Sequence, residues 1–182
     1  MQTDFPPLTV EGPITATVAP AQLEQTTVGG LPLPASYRAF AQRYGYGVLG
    51  NRLILLLPIA ATGEDDIRTR SPELADFFRE GIEEEWFEYE PDGSPELVER
   101  LVPFGISEDG HFFAWDPHEP TGPDEYMIYV VGSKFLSVRR GAPNLFELIA
   151  GCLDERVKGI LGIGYQPLPA NFRPVVPYHD RR

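Results

Sequence analysis

The sequence LPASYRAFAQRYG, residues 33–45, carries the clearest helix signal in this chain. Pro34 suits the first helical position, where its missing N–H costs no hydrogen bond. Four apolar side chains follow the i, i+3, i+4, i+7 spacing of one buried helix face; they are Tyr37, Phe40, Ala41 and Tyr44. Gly45 can adopt the left-handed conformation that ends a helix. The stretch therefore predicts a helix over residues 33–44, with one side packed against a core.

The residues that follow this helix predict a sheet built largely from hairpins. The predicted strands are residues 52–57, 100–106, 111–115, 126–131 and 135–139, and residues 118–123 are predicted to be a loop. Asp109-Gly110 supplies the positive backbone dihedrals that the first hairpin needs, and residues 132–134 connect the second. Pro103 has no N–H to donate, so its strand should lie at a sheet edge or carry a bulge at this position.

Two further helices and, at residues 94–98, one short helical turn are predicted from their starting residues. Ser71-Pro72-Glu73 and Ser94-Pro95-Glu96 each combine a capping hydroxyl, an early proline and a first-turn carboxylate. Leu74, Phe77 and Phe78 would form the apolar face of the first of these helices, and Asn144 is predicted to cap a helix that runs to about Val157. From Glu85 to Glu90 acids alternate with aromatics, so a strand or an extended loop competes with a helix there.

The order of these elements predicts the α+β class, as a single domain with an antiparallel-rich mixed sheet and helices packed mainly on one face. We expect residues 1–30 to be an N-terminal extension, residues 31–158 the domain, and residues 159–182 a proline-rich tail. Within the extension, Thr9-Val10 and residues 14–18 fit either an edge strand or a short hairpin, and the sequence leaves that choice open. The tail is expected to be irregular and to lie over the domain through Phe172, Val175 and Tyr178.

The net charge of −12 is concentrated in one third of the chain. Residues 64–125 contain 20 Asp and Glu against four Arg and no Lys, whereas the rest contains seven acids and 11 bases. Such a chain is a poor general binder of nucleic acid or of anionic membranes, since both attract Lys and Arg. The acidic third is either a solvated, solubilising face or a docking surface for a basic partner.

Other features predict a soluble cytoplasmic protein without a cofactor. The chain begins without a secretory signal pattern, and its longest apolar run, residues 53–61, is too short to span a bilayer. The single cysteine, Cys152, excludes an internal disulfide and belongs to an apparent helix face, so we expect a buried, inert thiol. Asp116-x-His118-Glu119 brings potential metal ligands together, but its setting beside a Pro- and Gly-rich loop argues against a metal site. The nucleotide-binding and hydrolase motifs are absent, so we expect no enzyme.

Three short stretches in this order resemble the SUKH superfamily, which includes fungal cell-wall-synthesis regulators and bacterial toxin-immunity proteins. They are residues 33–45, then Val102-Pro103-Phe104-Gly105 with Asp109-Gly110 and Trp115-Asp116, then residues 144–149. The resemblance covers about residues 31–157 and implies a SUKH-like α+β domain that binds a cognate toxin, often a nuclease, and performs no catalysis. The acidic insert between Pro58 and Leu101 is longer than a minimal member needs, which leaves the particular partner open.

The predicted partner-binding residues lie in the acidic insert, where aromatic side chains stand among carboxylates. They are Glu83, Glu84, Glu85, Trp86, Glu88, Tyr89, Glu90 and Asp92. Aromatic residues are enriched at the energetic centres of interfaces, and charges around them steer association. An alternative is that Trp86, Phe87 or Tyr89 fills the core.

The leading hypothesis is an immunity protein that neutralises a basic toxin domain through this acidic surface. The alternative is a regulatory or scaffold module without a toxin partner, which uses the prolines of the tail as a contact segment. An enzyme with an unrecognised carboxylate site is a third possibility. The sequence leaves the oligomeric state open.

Overall fold

One eight-stranded sheet organises the part of the chain that the structure, a computed structural model, describes, residues 3–59 and 65–177. The helices are α1 (Pro20–Gln25), α2 (Ala35–Arg43), α3 (Ile67–Glu83), α4 (Pro95–Arg100), α5 (Leu145–Cys152) and α6 (Val157–Ile160). The strands are β1 (Thr9–Val10), β2 (Thr27–Val28), β3 (Leu31–Pro32), β4 (Gly47–Leu49), β5 (Leu53–Leu55), β6 (Val102–Ser107), β7 (Phe112–Gly122), β8 (Glu125–Val131), β9 (Val138–Ala142) and β10 (Asn171–Pro174).

The large sheet has the strand order β1-β10-β4-β5-β6-β7-β8-β9, and β2 pairs with β3 in a separate hairpin. Within the large sheet only β1 and β10 are parallel; the other neighbours are antiparallel. Helices combined with a mostly antiparallel mixed sheet in one domain confirm the predicted α+β class.

Helix α2 forms where the opening stretch predicts it, and its apolar stripe is buried. Pro34 lies immediately before the helix, and Gly45 follows it with a φ of +69°. Tyr37 is fully buried, and its hydroxyl donates a hydrogen bond to the backbone carbonyl of Leu56, beyond the end of β5. The ring of Tyr37 also meets Trp115 edge-on at 5.2 Å between centroids. The helix is thereby fixed to the centre of the sheet.

Alternation along β7 and β8 divides the buried apolar residues between the two sheet faces. Phe113 and Trp115 point to the larger core, as do the residues opposite them on β8, Val130 and Ile128. Helices α1, α2, α5 and α6 contribute buried side chains to this core, and α3 contributes through its first half. Ala114 and Met127 point the other way, into a second cluster shared with Phe78 of α3 and with α4. Most helices thus pack against one face of the sheet, while the end of α3 packs against the opposite face together with α4.

The structure corrects three predicted element boundaries. Helix α3 begins at Ile67, so Ser71 and Pro72 lie inside it; the buried Asp66 caps the helix by accepting a hydrogen bond from the backbone N–H of Arg68 at 2.8 Å. The predicted loop over residues 118–123 is strand, because β7 continues to Gly122 through irregular pairing with β8. The helix capped by Asn144 ends at Cys152, and a separate helix, α6, includes Gly159.

The tail differs from the expected irregular segment because residues Asn171–Pro174 form β10 inside the sheet. Phe172 is fully buried against Phe40 and Tyr44, and β10 pairs with β4 on one side and β1 on the other. Tyr178, expected to cover the domain, lies outside the described residues. Near the other end of the chain, Thr9–Val10 form an edge strand, whereas residues 14–18 are not part of one.

Pro103 lies in an interior strand, since β6 pairs with β5 and with β7. The pairing register between β6 and β7 shifts between Pro103 and Gly105, which marks the predicted irregularity. A bulge at this position accommodates a residue that has no N–H to donate to the ladder.

Candidate protein-binding surface

The acidic segment, residues 83–92, leaves the end of α3 and runs alongside the connection between β8 and β9. Glu85 adopts a φ of +56°, and the chain is then held by backbone hydrogen bonds. The N–H of Glu88 donates to the carbonyl of Phe135 at 2.8 Å, and the N–H of Asp92 donates to that of Val138 at 3.0 Å. Of the alternatives that the sequence left open, the segment therefore adopts the extended loop, and this loop is tied to the sheet beside β9.

Seven of the eight predicted binding residues are exposed, and the eighth, Tyr89, is half-buried. The exposed residues are Glu83, Glu84, Glu85, Trp86, Glu88, Glu90 and Asp92. Between them Phe87 turns inward and is buried, so this aromatic residue does fill a core, as the alternative interpretation allowed. The loop thus presents carboxylates and one indole on the outside while Phe87 anchors it from beneath.

An aromatic patch, formed by Phe77, Trp86 and Phe135, adjoins the acidic segment. Phe135 is the buried base of the patch: its ring stacks on that of Phe87 at 4.2 Å and lies 4.9 Å from that of Phe77. The Trp86 ring is parallel to that of Phe135, with 6.3 Å between centroids and 12° between planes. Phe77 and Trp86 remain 38% and 44% exposed. Large apolar side chains that converge on a surface mark interaction sites more often than scattered ones do.

Sequence reasoning placed Trp86 in the site but missed the other members of the patch. Phe77 was assigned to the buried face of α3, whereas Leu74 and Phe78 take that face and leave Phe77 half outside. The sequence predicts a strand from Phe135 onward, but Phe135 ends a short 3-10 turn after β8 and Leu136 follows that turn. Pairing of the distant residues 88–92 with residues 135–138 brings the two parts together, and no local pattern encodes that pairing.

Ion pairing is uneven across the acidic third of the chain. Each of its four arginines contacts a carboxylate outside the acidic segment: Arg68 with Asp66, Arg70 with Glu73, Arg79 with Asp76, and Arg100 with Asp116. Within the described part of the chain, the carboxylates of Glu83, Glu84, Glu85, Glu88 and Glu90 have no ion-pair partner within 4.0 Å. The acidic segment thus carries a run of uncompensated negative charge.

Outside the acidic segment, Arg100 and Asp116 form a structural ion pair, and Cys152 is a buried thiol. Arg100 holds Asp116 through two hydrogen bonds of 2.8 Å each, and Asp116 also accepts one from the backbone N–H of His118. Burial raises the pKa of Asp116, and these contacts outweigh that effect, so the pKa lies below its usual value. Burial raises the pKa of the Cys152 thiol to about 12, which leaves this residue unreactive.

Residues 3–59 and 65–177 contain neither a metal-binding cluster nor a membrane-spanning helix. No group of three or more His, Cys, Asp and Glu side chains is arranged to hold a metal ion. No helix in those ranges has the length and apolar character needed to cross a membrane.

One comparison with known proteins gives a match. Residues 19–151, about three quarters of the chain, match the family model described as SMI1 / KNR4 family (SUKH-1). The match includes α1 to α5 and β2 to β9 and therefore both the acidic segment and the aromatic patch. No curated protein and no solved structure matches the chain.

Proposed function

The chain belongs to the SMI1 / KNR4 family (SUKH-1), and on this premise we propose that it is a non-catalytic immunity protein. It binds a basic toxin domain, a nuclease in the simplest case, in the cytoplasm and neutralises that domain by direct contact. The acidic segment supplies the binding surface. The observation that carries this proposal is the run of exposed carboxylates with no ion-pair partner in the described structure.

A surface of this charge suits a nuclease because an enzyme that grips phosphate presents Lys and Arg in its cleft. Carboxylates at the mouth of that cleft compete with nucleic acid for the same cations. Electrostatic steering raises association rates by roughly 10- to 1,000-fold and weakens as salt is added, because charges are screened beyond about 8 Å at physiological ionic strength. Rapid capture is useful to a cell that must protect itself from the toxin.

The experiment uses the full chain and, as binding partners, candidate toxin domains taken from reading frames that neighbour its gene. Association rate constants are measured by stopped flow from about 20 to 500 mM salt for the wild type and two double variants. Glu84→Gln with Glu88→Gln alters the acidic segment, whereas Glu24→Gln with Glu108→Gln removes the same net charge from exposed sites elsewhere. We expect the Glu84/Glu88 variant to lower the association rate constant at low salt about three- to ten-fold. The Glu24/Glu108 variant should change it less than two-fold.

A rate that does not depend on salt, or equal effects of the two pairs, would remove the acidic segment from the proposal. Survival of cells that express the toxin domain gives the functional readout, since a neutralising protein must restore growth. Absence of both binding and rescue would contradict toxin neutralisation and favour the regulatory module instead.

Deleting residues 166–182 cannot separate these two functions, although the regulatory alternative assigns its contact segment to the proline-rich tail. The deletion removes β10 and with it the buried Phe172, so it would damage the fold together with any contact segment. Point substitutions on the surface are the appropriate comparison.

A further inference from the structure

We propose that Trp86 is a docking point for an arginine of the partner. The arginine side chain would lie on the exposed part of the indole. This inference rests on the proposed function, because it specifies the chemistry by which the same surface holds a basic protein. The guanidinium would stack on the ring and donate hydrogen bonds to neighbouring carboxylates. The rest of the aromatic patch would receive the aliphatic part of the side chain and nearby apolar residues.

The neighbouring rings leave the indole only partly covered. The Phe135 ring is nearly parallel to it at 6.3 Å between centroids, and the Phe77 ring is tilted by 58° at 6.2 Å. Trp86 nevertheless remains 44% exposed. Two cations in the described structure lie over aromatic rings, Arg43 over Tyr44 and Arg52 over Tyr165, and neither ring belongs to the patch.

The support beneath Trp86 is already packed. The backbone N–H of Trp86 donates to the carbonyl of Gly81 at 2.9 Å, which fixes the residue to the last turn of α3. Phe135 is buried between Phe87 and the outer rings, so the indole has a rigid base. A surface aromatic held in place loses little conformational entropy when a partner binds, which favours affinity.

Carboxylates lie close to the patch along the chain. Glu80 and Glu84 follow Phe77 by three and seven residues, so they share its side of the helix end, and Glu85 precedes Trp86 directly. All three are exposed and lack an ion-pair partner in the described structure. Lys134, which precedes Phe135, likewise makes no ion pair with a described carboxylate.

Arginine fits this setting better than lysine does. Its planar guanidinium stacks on aromatic rings, is weakly hydrated and presents paired N–H donors that match a carboxylate. Lysine carries the same charge but as a strongly hydrated point on a flexible chain. Cation–π contacts are strongest with tryptophan and weaker with phenylalanine, whereas a leucine provides apolar area without the ring quadrupole.

The test uses hexa-arginine and hexa-lysine peptides, which have equal charge, as probes of the full chain at low salt. Binding is followed through tryptophan fluorescence, and because Trp115 is buried, the quenching should come from Trp86. Dissociation constants of the variants are confirmed by calorimetry, since these variants lack the reporter. We expect the wild type to bind the arginine peptide about three-fold more tightly than the lysine peptide. Trp86→Phe should reduce this preference, and Trp86→Leu should abolish it.

Two controls distinguish the effect of the indole on binding from the effects of net charge and of misfolding. The double variant Glu84→Gln with Glu88→Gln should bind both peptides more weakly but still bind the arginine peptide more tightly than the lysine peptide. Circular dichroism and thermal unfolding should show the wild-type fold in Trp86→Phe and Trp86→Leu. Equal affinities of the two peptides for the wild type, or an unchanged preference in Trp86→Leu, would overturn the arginine site. Toxin binding and cell rescue are measured separately, so failure of the peptide test leaves the proposed function standing.

Discussion

Lys134 and Phe135 hold consecutive left-handed backbone conformations, with φ values of +55° and +58°. For a residue with a side chain this conformation costs about 1–2 kcal/mol, because Cβ approaches the following carbonyl oxygen. The packing of Phe135 against Phe87 and Phe77 offsets that cost and directs the ring into the base of the aromatic patch. The side chain of Lys134 makes no ion pair in the described structure, so nothing comparable compensates its strain.

We expect Lys134→Gly to raise the free energy of unfolding by about 0.5–1 kcal/mol. Relief of the left-handed strain exceeds the larger conformational entropy that glycine brings to the unfolded chain. Urea denaturation followed by circular dichroism measures the change. Lys134→Ala is the matched control, since it removes the same side chain but keeps Cβ, and it should stabilise the protein less. Equal midpoints for the two variants would show that the backbone at this position is not strained.

Asp109 joins three parts of the chain through one carboxylate. Its Oδ1 accepts a hydrogen bond from Ser107 at 2.6 Å, and its Oδ2 accepts from Arg52 at 2.7 Å and from Tyr165 at 2.5 Å. Burial raises the pKa of Asp109, but the hydrogen bonds from Ser107 and Tyr165 and the charges of His111 and Arg52 outweigh it and bring the pKa to about 2. The ionised form is therefore favoured by the fold.

Because the pKa of Asp109 is lower in the folded state, its contribution to stability is present above about pH 4 and lost as the pH falls toward 2. Asp109→Asn should therefore destabilise the protein most at pH 6, and the difference from the wild type should shrink between pH 4 and pH 2. Urea midpoints across this range provide the measurement. Tyr165→Phe keeps the carboxylate but removes one donor, so it should cost less at pH 6. A wild-type to Asp109→Asn difference that is independent of pH would contradict the assigned pKa.

At the scale of elements, the tripeptide Ser-Pro-Glu occurs twice and has two different roles. At residues 94–96 it starts α4: Ser94 accepts from the backbone N–H of Leu97, and Pro95 occupies the first turn. At residues 71–73 it lies inside α3, which Asp66 caps earlier in the chain. Pro72 thus occupies a position where an N–H would donate to the carbonyl of Arg68.

This pair yields a matched prediction, since Pro72 and Pro95 are both exposed. Pro72→Ala should raise the free energy of unfolding by about 1–3 kcal/mol, because it restores one helical hydrogen bond and removes the clash with the preceding turn. Pro95→Ala should change it by less than about 0.5 kcal/mol, since a first-turn N–H has no partner within the helix. Thermal unfolding of the two variants and the wild type measures both changes in stability. A similar response at both positions would indicate that Pro72 costs α3 nothing.

Local patterns predicted the elements whose signals are self-contained and failed where a distant contact decides. The spacing of Tyr37 and Phe40 sufficed for α2, and Asn144 sufficed to place the start of α5. The start of α3 depends on Asp66, whose buried carboxylate is held by Arg68 and whose backbone forms an isolated bridge with Leu57. The end of β7 depends on pairing with β8 rather than on the turn-forming residues within it.

The same distinction applies to the binding surface. Charge density along the sequence was sufficient to locate the exposed acidic segment, because carboxylates without partners stay in water. The aromatic patch could not be predicted in full, since Phe77 and Trp86 meet Phe135 only through tertiary packing. The pattern at Phe77 and Phe78 does not tell which of two adjacent phenylalanines on a helix turns inward.

At the scale of the whole molecule, strands from near both ends of the described chain form one edge of the sheet. The parallel pair β1 and β10 continues the sheet beyond β4, and β10 places Phe172 in the main core. Gly47 makes room for this ring, because a Cβ at that position would lie 2.5 Å from Cζ of Phe172. The proline-rich composition of the tail concealed this role, since Pro174 lies in the strand itself.

Phe172→Ala should therefore destabilise the whole domain by about 3–5 kcal/mol, which is the usual cost of truncating a fully buried phenylalanine. The substitution leaves a cavity beside Phe40 and Tyr44, whose rings lie 5.8 Å and 5.4 Å from that of Phe172. Ile163→Ala is the control from the same part of the chain: that side chain is 88% exposed, and its removal should change stability by less than about 0.5 kcal/mol. Urea unfolding monitored by far-UV circular dichroism reports on all elements together. If Phe172→Ala instead gave a cost near that of the control, or a local transition with the rest of the sheet unchanged, β10 would be an accessory strand rather than part of the cooperative fold.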